Sequence, residues 1–246
     1  MATTFLPPLF KLPALALLII LPVLAFRRPN AVIDKTEQRG EGEHGVRADT
    51  VPTFIITWGF KAFIGILQII SFIEGYVILS QEYPGLAQRN VLSTFVPAGQ
   101  AAGVGLTKTF LVGLALYIAG TLLRIKCYQS LGSNFTFELT IRKGHTLCTD
   151  GPYAVVRHPS YSAALLCAVA QILCHFGDGS WWMECGLRET VIGWVIFVTV
   201  GVFESMAMRS MFKRTKVEDA LLKKEFEGRW VEWAKKTRYS IIPYIF

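Results

Sequence analysis

Two blocks of polar residues border long apolar runs and carry the side chains best suited to binding a ligand. The first block covers residues 138–161 and ends in the sequence GPYAVVRHPSY, and the second covers residues 209–219. Proline fixes its own φ and disfavours a helical conformation in the residue before it. Pro152 and Pro159 should therefore keep the end of the first block irregular until a helix begins after Pro159. Its hydrogen-bond donors are then expected to be available to a ligand.

The second block contributes a cation and an anion at helical spacing. Arg214 and Glu218 are four residues apart, so they share a face if the helix is continuous. On this pattern alone a surface ion pair of little energetic value is the better interpretation. However, the two blocks flank a predicted pair of helices over 161–208, and two antiparallel helices return the chain to the same side. The blocks are therefore expected to lie close together.

The elements that must position these blocks are predicted to be membrane-spanning helices. Apolar residues make up 52% of the 246 residues and the mean hydropathy is +0.41, which is too apolar for an ordinary soluble domain. A span needs ~20 residues. The apolar runs are 5–26, 54–79, 104–123, 161–176 and 191–208. We expect an all-α polytopic protein with about five transmembrane helices, the fourth run being marginal unless it extends to Trp181 and Trp182.

The runs divide the chain into four predicted parts. These are a first transmembrane helix at 1–26, a cytosolic linker at 27–50, two further transmembrane helices with a lumenal loop at 51–123, and a catalytic region at 124–246 that includes the hairpin 161–208. The first run is interpreted as a retained helix, since no basic residue precedes it and no cleavage pattern follows. Within the last part, apolar and basic residues alternate at helical spacing from Val217 to Lys236. This basic amphipathic helix is expected to lie on the membrane surface or to pack on the bundle.

Basic residues predict the orientation of the bundle. Segments 27–50, 124–158 and 209–246 contain 20 of the 25 lysine and arginine residues. Because short cytosolic loops are enriched in these residues, the three segments are predicted to be cytosolic and the N-terminus lumenal. The net charge of +7 is better explained by this orientation and by attraction to anionic membrane lipid than by nucleic acid. No arginine-rich helix or aromatic stacking platform supports nucleic-acid binding.

Metal and disulfide chemistry are not predicted. His145, His158 and His175 show no i, i+4 pair and no accompanying acidic cluster. The five cysteines show no CxxC spacing and fall mostly in spans or on the predicted cytosolic side. They are expected to act as small apolar residues.

With these residues in view, the chain over about 130–246 resembles the isoprenylcysteine carboxyl methyltransferases. The resemblance is carried by 145–161 (HTLCTDGPYAVVRHPSY), 214–219 (RTKVED) and 226–233 (FEGRWVEW). The first two motifs stand in the family's order and at its distance around a helical hairpin. The RHPxY-type core is shared with the wider class of membrane methyltransferases, including phospholipid methyltransferases, so the broad class is more strongly indicated than the substrate.

The resemblance implies a methyl transfer from S-adenosylmethionine, bound in a cytosolic pocket between the two blocks, to the carboxylate of a C-terminal prenylcysteine. It implies that the cofactor is lined by Glu138, His145, Thr146, Leu147, Cys148, Tyr153, His158, Pro159, Ser160, Tyr161 and Glu218, and that Arg214 faces the substrate carboxylate. The family tends to have glutamine at position 138. It usually has glycine at position 227, so the resemblance does not predict the backbone conformation at Glu227. The implied partners are prenylated CaaX proteins or prenylcysteines at the endoplasmic reticulum membrane, with the catalytic side cytosolic.

Alternative acceptors differ in their protonation at neutral pH. A carboxylate, with a reference pKa of roughly 3.5, is already ionised and needs no general base. Arg214 is suited to hold it because a guanidinium binds a carboxylate through two hydrogen bonds. A phospholipid or other lipophilic amine is protonated, would need a base and would be repelled by an arginine. A non-catalytic scaffold or transporter is the third interpretation, although the inverted repeats and broken helices typical of transporters are not visible in the sequence.

Overall fold

The computed structural model describes residues 6–27, 53–86, 89–97, 103–135 and 145–245, and every regular element within them is a helix. The α-helices are α1 (Leu12–Phe26), α2 (Thr53–Glu82), α3 (Arg89–Phe95), α4 (Lys108–Leu131), α5 (Pro159–Phe176), α6 (Trp181–Glu184) and α7 (Val191–Lys236). Short 3-10 helices cover Pro8–Lys11, Pro84–Leu86, Gly132–Asn134, Gly151–Ala154 and Leu187–Glu189. The all-α prediction is confirmed.

Five helical segments in the described ranges are long and apolar enough to cross a membrane. They are Pro8–Phe26, Gly59–Glu82, Lys108–Asn134, Pro159–Glu184 and Val191–Lys236. Large apolar side chains such as Phe72, Leu122 and Val195 lie exposed on their outer faces. Such extended apolar surfaces are unfavourable in water but are stable against lipid, where each helix satisfies its own backbone hydrogen bonds. The chain is a multi-pass membrane protein, and its described ranges contain five candidate spans.

The fourth span is longer than its apolar run. Helix α5 begins at Pro159 and ends at Phe176, and α6 continues the same span to Glu184. Trp181 and Trp182 of α6 are buried. The two tryptophans thus complete a span that the run 161–176 alone left marginal.

Helix α4 begins and ends later than its apolar run. The side chain of Thr107 caps its start by accepting a hydrogen bond from the Phe110 amide at 3.2 Å. The helix continues past the expected end at residue 123 because the charge of Arg124 is accommodated inside the protein. Arg124 is buried, and its Nε donates to the carbonyl oxygen of Ala25 at the end of α1, at 2.6 Å.

Helices α4 and α5 approach each other closely through two glycines. A Cβ atom at Gly113 would come 2.7 Å from Cys174 Sγ, and one at Gly120 would come 2.8 Å from Cys167 Sγ. Both distances are far shorter than a van der Waals contact, so the helices can pack at this distance only with glycine there. Cys167 and Cys174 act as small packing residues, and all five cysteines are free. This packing fixes the start of α5 relative to α4.

A buried ion pair joins α2 to the residue that precedes α1, at the end of the bundle away from Pro159. Lys11 Nζ lies 2.5 Å from Glu74 Oε1, and both side chains are fully buried. Lys11 also donates to the carbonyl oxygen of Gly179 at 2.9 Å, and the Trp181 amide donates to Glu74 Oε2 at 3.0 Å. Because either charge alone would be buried without compensation, the pair fixes the register of these elements.

Helix α7 extends far beyond the membrane. At ~1.5 Å per residue, a straight helix of its 46 residues would measure about 69 Å, against a hydrocarbon core of ~30 Å. The apolar run at 191–208 and the polar block at 209–219 are therefore parts of one helix. Its second half carries Arg214 and Glu218 out of the lipid.

The helical path of α7 is broken at Glu227, whose φ of 45° and ψ of −116° lie in a region that favours glycine. After this kink the last turns of the helix pack on the bundle, where Trp233 is buried against Cys127 of α4 and Tyr153. Of the two alternatives for the amphipathic segment, packing on the bundle is the one observed. The glycine that is usual at position 227 in the family that the sequence resembles would suit this backbone conformation.

Replacing Glu227 by glycine is expected to stabilise the protein. Relief of a strained backbone conformation is worth ~1–3 kcal/mol, whereas the greater freedom of glycine in the unfolded chain costs ~0.5–1 kcal/mol. We expect Glu227→Gly to raise the free energy of unfolding by about 1 kcal/mol, measured as a higher thermal midpoint in detergent. Glu225→Gly, at an exposed helical position, is the matched control and should lower the midpoint. A midpoint lowered equally in both variants would contradict the strain at Glu227.

Candidate active site

The irregular end of the first block delivers His158 to the start of α5. Gly151 begins the 3-10 helix Gly151–Ala154 with a φ of 58°, in the left-handed region that favours glycine. His158 is the N-cap residue of α5, and Pro159 occupies the first helical position, where its missing N–H removes no helical hydrogen bond. The helix start expected from the two prolines is observed.

The two polar blocks meet at the imidazole of His158. Its Nδ1 lies 3.2 Å from Glu218 Oε2, and its Nε2 lies 2.9 Å from Asp219 Oδ1. The His158 side chain is only 6% exposed. Because each ring nitrogen faces a carboxylate, both act as donors, which is possible only in the imidazolium form. The predicted return of the chain by the helix pair therefore brings α5 and α7 into direct contact at charged groups.

Tyr161 and Arg214 surround the other oxygen of Glu218. Tyr161 Oη donates to Glu218 Oε1 at 2.5 Å, and its ring is stacked on the His158 ring with centroids 5.8 Å apart. Arg214 Nε lies 3.6 Å from the same oxygen. This last distance is too long for a hydrogen bond, so Arg214 interacts with Glu218 by charge. Four predicted site residues thus form one cluster.

The environment of His158 holds it in the charged state. Burial by itself lowers the pKa of His158, but its hydrogen bonds to Asp219 and Glu218 and the charges of these carboxylates outweigh burial and raise it to about 9. At neutral pH His158 is therefore a cation with both nitrogens engaged. It serves to hold two carboxylates in place and does not act as a base.

The returning segment of α7 covers the first block with aromatic side chains. Tyr153 is buried against Trp233, whose Nε1 donates to the Tyr153 carbonyl oxygen at 3.1 Å. Leu147, Cys148 and Trp230 pack against the same cluster. These contacts give the candidate site an apolar wall that excludes water.

The loop that begins at His145 lies between α4 and the kink of α7. The ring of His145 lies 5.7 Å from the ring of Phe226, the residue before the kink. Cys148 Sγ lies 3.7 Å from the carbonyl oxygen of Ser130 in α4. The position of this loop therefore depends on the conformation at Glu227.

Two predicted cofactor residues, Ser160 and Thr146, stand apart from the His158 cluster. Ser160 accepts hydrogen bonds from Arg124 Nη1 at its side-chain and backbone oxygens, both at 3.0 Å. Thr146 is exposed, and its hydroxyl accepts from Asn134 Nδ2 at 3.2 Å. Glu138 lies outside the described residues. The assignment of these three side chains to a cofactor stays a prediction.

The indole nitrogen of Trp230 marks a place for a bound acceptor. Nε1 of Trp230 is buried and has no hydrogen-bond partner in the described part of the chain. Buried indole N–H groups usually find an acceptor, and leaving one without an acceptor is unfavourable. A ligand with a nitrogen or oxygen acceptor at this position would satisfy it.

Two residues of the cluster were not selected from the sequence. Asp219 holds His158, and Arg157 holds Asp219 through Nε and Nη2, each 3.2 Å from Oδ2. Both stand directly beside a selected residue. The signal that would have found them is the adjacency of two cations, Arg157 and His158, and of two carboxylates, Glu218 and Asp219, because an imidazolium has two donors to satisfy.

Comparisons with known proteins agree on one group of enzymes. Residues 112–197 match the sequence model of the family described as "Isoprenylcysteine carboxyl methyltransferase (ICMT) family". The chain is 26% identical over 204 residues to "Protein-S-isoprenylcysteine O-methyltransferase B" of Arabidopsis thaliana, which covers 82% of each protein. It is 30% identical over 136 residues to proteins named "Probable protein-S-isoprenylcysteine O-methyltransferase" from Oryza sativa subsp. indica and subsp. japonica. These two matches cover 54% of this chain and 61% of each relative.

The charge of His158 predicts a pH dependence of stability. Because folding raises its pKa from 6.5 to about 9, the stabilisation is complete below pH 6.5 and is lost as the pH rises through about 9. We expect the thermal midpoint in detergent to fall over this interval, and the fall to be smaller in His158→Gln. A profile that is identical in the two proteins would show that His158 does not carry the charge.

Proposed function

Because this chain belongs to the isoprenylcysteine carboxyl methyltransferase family, we propose that it transfers a methyl group from S-adenosylmethionine to the carboxylate of a C-terminal prenylcysteine. The observation that carries the proposal is the cluster of His158, Tyr161, Glu218 and Arg214 beyond the membrane end of α7. It combines an anchored carboxylate with an arginine on the same helix face. The catalytic region proposed from the sequence, 124–246, contains the whole cluster.

The described residues fit the proposed cofactor. S-adenosylmethionine carries hydroxyl and ammonium donors for Glu218, and the acceptors of its adenine and carboxylate groups suit the buried Nε1 of Trp230. Tyr161 and Tyr153 offer aromatic faces that attract a cation such as a sulfonium. We propose that the cofactor is held by Glu138, His145, Thr146, Leu147, Cys148, Tyr153, His158, Pro159, Ser160, Tyr161 and Glu218. Trp230 is added to this set from the structure.

The residues of the chain contribute orientation and exclusion of water to the proposed reaction. When bound, S-adenosylmethionine supplies an electrophilic methyl group. His158 and Tyr161 fix both oxygens of Glu218, so this carboxylate is oriented before any ligand binds. Arg214 is proposed to hold the acceptor carboxylate through two hydrogen bonds, which aligns an oxygen for attack. The wall formed by Trp230 and Trp233 keeps water from competing with that oxygen.

The charge state of the site supports a carboxylate acceptor over an amine. A lipophilic amine is protonated at neutral pH and would need a general base before it could accept a methyl group. His158 does not supply one, because its raised pKa of about 9 keeps it protonated. Arg214 would repel the ammonium form. A carboxylate is already ionised and needs no proton transfer.

The membrane-spanning bundle suits a substrate with a prenyl tail. Each CH₂ group moved from water into lipid contributes ~0.8 kcal/mol, so a prenyl chain stays in the bilayer and its carboxylate stays at the surface. We propose lateral entry of the substrate from lipid and entry of the cofactor from water. The surplus of basic residues in 209–246 supports a cytosolic orientation of this side. We propose the endoplasmic reticulum membrane as the location and prenylated CaaX proteins as the partners.

Binding and labelling by the purified protein test the proposal. We expect the protein in detergent to bind S-adenosylmethionine in a calorimetric titration, and its membranes to transfer label from that cofactor to acetyl-farnesylcysteine. Phosphatidylethanolamine serves as the competing acceptor and should remain unlabelled. Label that enters only the lipid would overturn the prenylcysteine assignment, and no affinity for the cofactor would overturn the methyltransferase assignment as a whole.

Replacing Arg214 by lysine distinguishes an effect on methylation of the acceptor from an effect on binding of the cofactor. Lysine retains the charge but lacks the planar pair of donors, so we expect methylation of acetyl-farnesylcysteine to fall roughly tenfold or more. The affinity for S-adenosylmethionine, measured by calorimetry, should change less than twofold. Arg209→Lys, at an exposed position of α7, is the matched control and should keep both values. Unchanged turnover in Arg214→Lys would remove the assigned role.

A further inference from the structure

Residues 237–241, which we name the C-terminal strap, bind the backbone of the segment that carries His158. The Arg157 amide donates to the Tyr239 carbonyl oxygen at 2.9 Å, and the His158 amide donates to that of Ser240 at 2.8 Å. These two amides are the last donors before Pro159, which has none. The strap therefore satisfies the backbone at the start of α5, so the expectation that these donors are available to a ligand is wrong.

Side-chain contacts and burial make the strap part of the folded protein. Ser162 Oγ donates to the Ile241 carbonyl oxygen at 2.5 Å, and Thr237 Oγ1 donates to that of Ala154 at 3.4 Å. Thr237, Ser240 and Ile241 are each at most 5% exposed. The strap thus contacts residues on both sides of His158, Ala154 before it and Ser162 after it.

The side chain of Arg157 joins the strap to α7. Its Nη1 donates to the carbonyl oxygens of Thr237 at 3.1 Å and Arg238 at 2.6 Å. Its Nε and Nη2 face Asp219 Oδ2, whose partner oxygen Oδ1 binds His158. One guanidinium of the first block therefore contacts both the strap and α7. Only the planar fork of arginine has enough donors to make these contacts together.

We propose that Arg157 and the C-terminal strap form a positioning unit that holds His158, and through it Glu218, in the geometry required by the cofactor. Without Arg157, Asp219 loses a charged partner and the strap loses its side-chain link to Asp219. The Asp219 carboxylate that binds His158 then has a less defined orientation, and the backbone of His158 becomes exposed to water. Arg157 acts through these groups and does not contact the cofactor. The assignment of Glu218 to the cofactor rests on the proposed function, whereas the coupling of strap and His158 does not.

Hydrogen exchange in the full-length protein tests the coupling without any cofactor. In the wild type, the amides of Arg157 and His158 should be protected, as read from peptides that cover residues 155–163. In Arg157→Met, we expect the amides at positions 157 and 158 to exchange at least about tenfold faster. Loss of a charged hydrogen bond typically shifts an equilibrium by this factor or more. The amides of α4 should be unchanged. Arg188→Met, an exposed arginine at the other end of the bundle, is the matched control and should exchange as the wild type does. If the amides at positions 157 and 158 of Arg157→Met exchange as slowly as in the wild type, the proposal is overturned.

Kinetics separate positioning from a general loss of folding. We expect Arg157→Met to raise the KM for S-adenosylmethionine about tenfold and to leave the KM for acetyl-farnesylcysteine within twofold. Arg157→Lys keeps the charge facing Asp219 and should restore part of the cofactor affinity. If Arg157→Met does not fold, Ser162→Ala, which removes one strap contact, should raise the same KM by a smaller factor. An equal change in both KM values, or no change in any variant, would overturn the positioning role.

The two proposals fail in different ways. A wild-type protein that binds no S-adenosylmethionine overturns the proposed function, and with it the cofactor part of the positioning role. Wild-type methylation together with unchanged exchange in Arg157→Met overturns the positioning unit alone.

Discussion

The imidazolium of His158 between Glu218 and Asp219 is the interaction on which the candidate site depends. It joins the start of α5 to α7, and His158 and Asp219 are 61 positions apart in the chain. A buried cluster of charges is favourable only when every member is paired and hydrogen-bonded, so this one tolerates little displacement of α5 against α7. The charges therefore act less as a source of stability than as a requirement for one arrangement of the two helices.

Several features of the bundle are needed to meet this requirement. Gly113 and Gly120 let α4 and α5 pack closely, which fixes the position along the bundle axis at which α5 begins. The unbroken course of α7 from Val191 to Phe226 places Glu218 level with the start of α5 but beyond the lipid. The kink at Glu227 then turns the chain so that Trp233 closes the site. A polar site is thus built at the membrane surface from helices that are otherwise apolar.

Those parts of the structure that depend on composition and spacing could be predicted from the sequence. The five spans follow from the lengths of the apolar runs, and the meeting of His158, Tyr161 and Glu218 follows from the helix pair between the two polar blocks. The continuity of α7 could not be predicted, because an apolar run followed by an amphipathic one is equally typical of two separate helices. The C-terminal strap binds chiefly through backbone carbonyl groups, which every residue has, so no residue type signals it. Arg157 and Asp219 were missed because each is adjacent to a residue with a more obvious role.

The buried pair of Lys11 and Glu74 has a consequence for how the protein enters the membrane. An unpaired lysine before α1 would bury an uncompensated charge in an apolar bundle, which is unfavourable. Glu74 of α2 supplies the opposite charge, and both side chains are fully buried. This neutralisation exists only when α1 and α2 lie side by side. The first helix is therefore not an independent anchor, since the buried charge of Lys11 is compensated only when the second helix is also inserted.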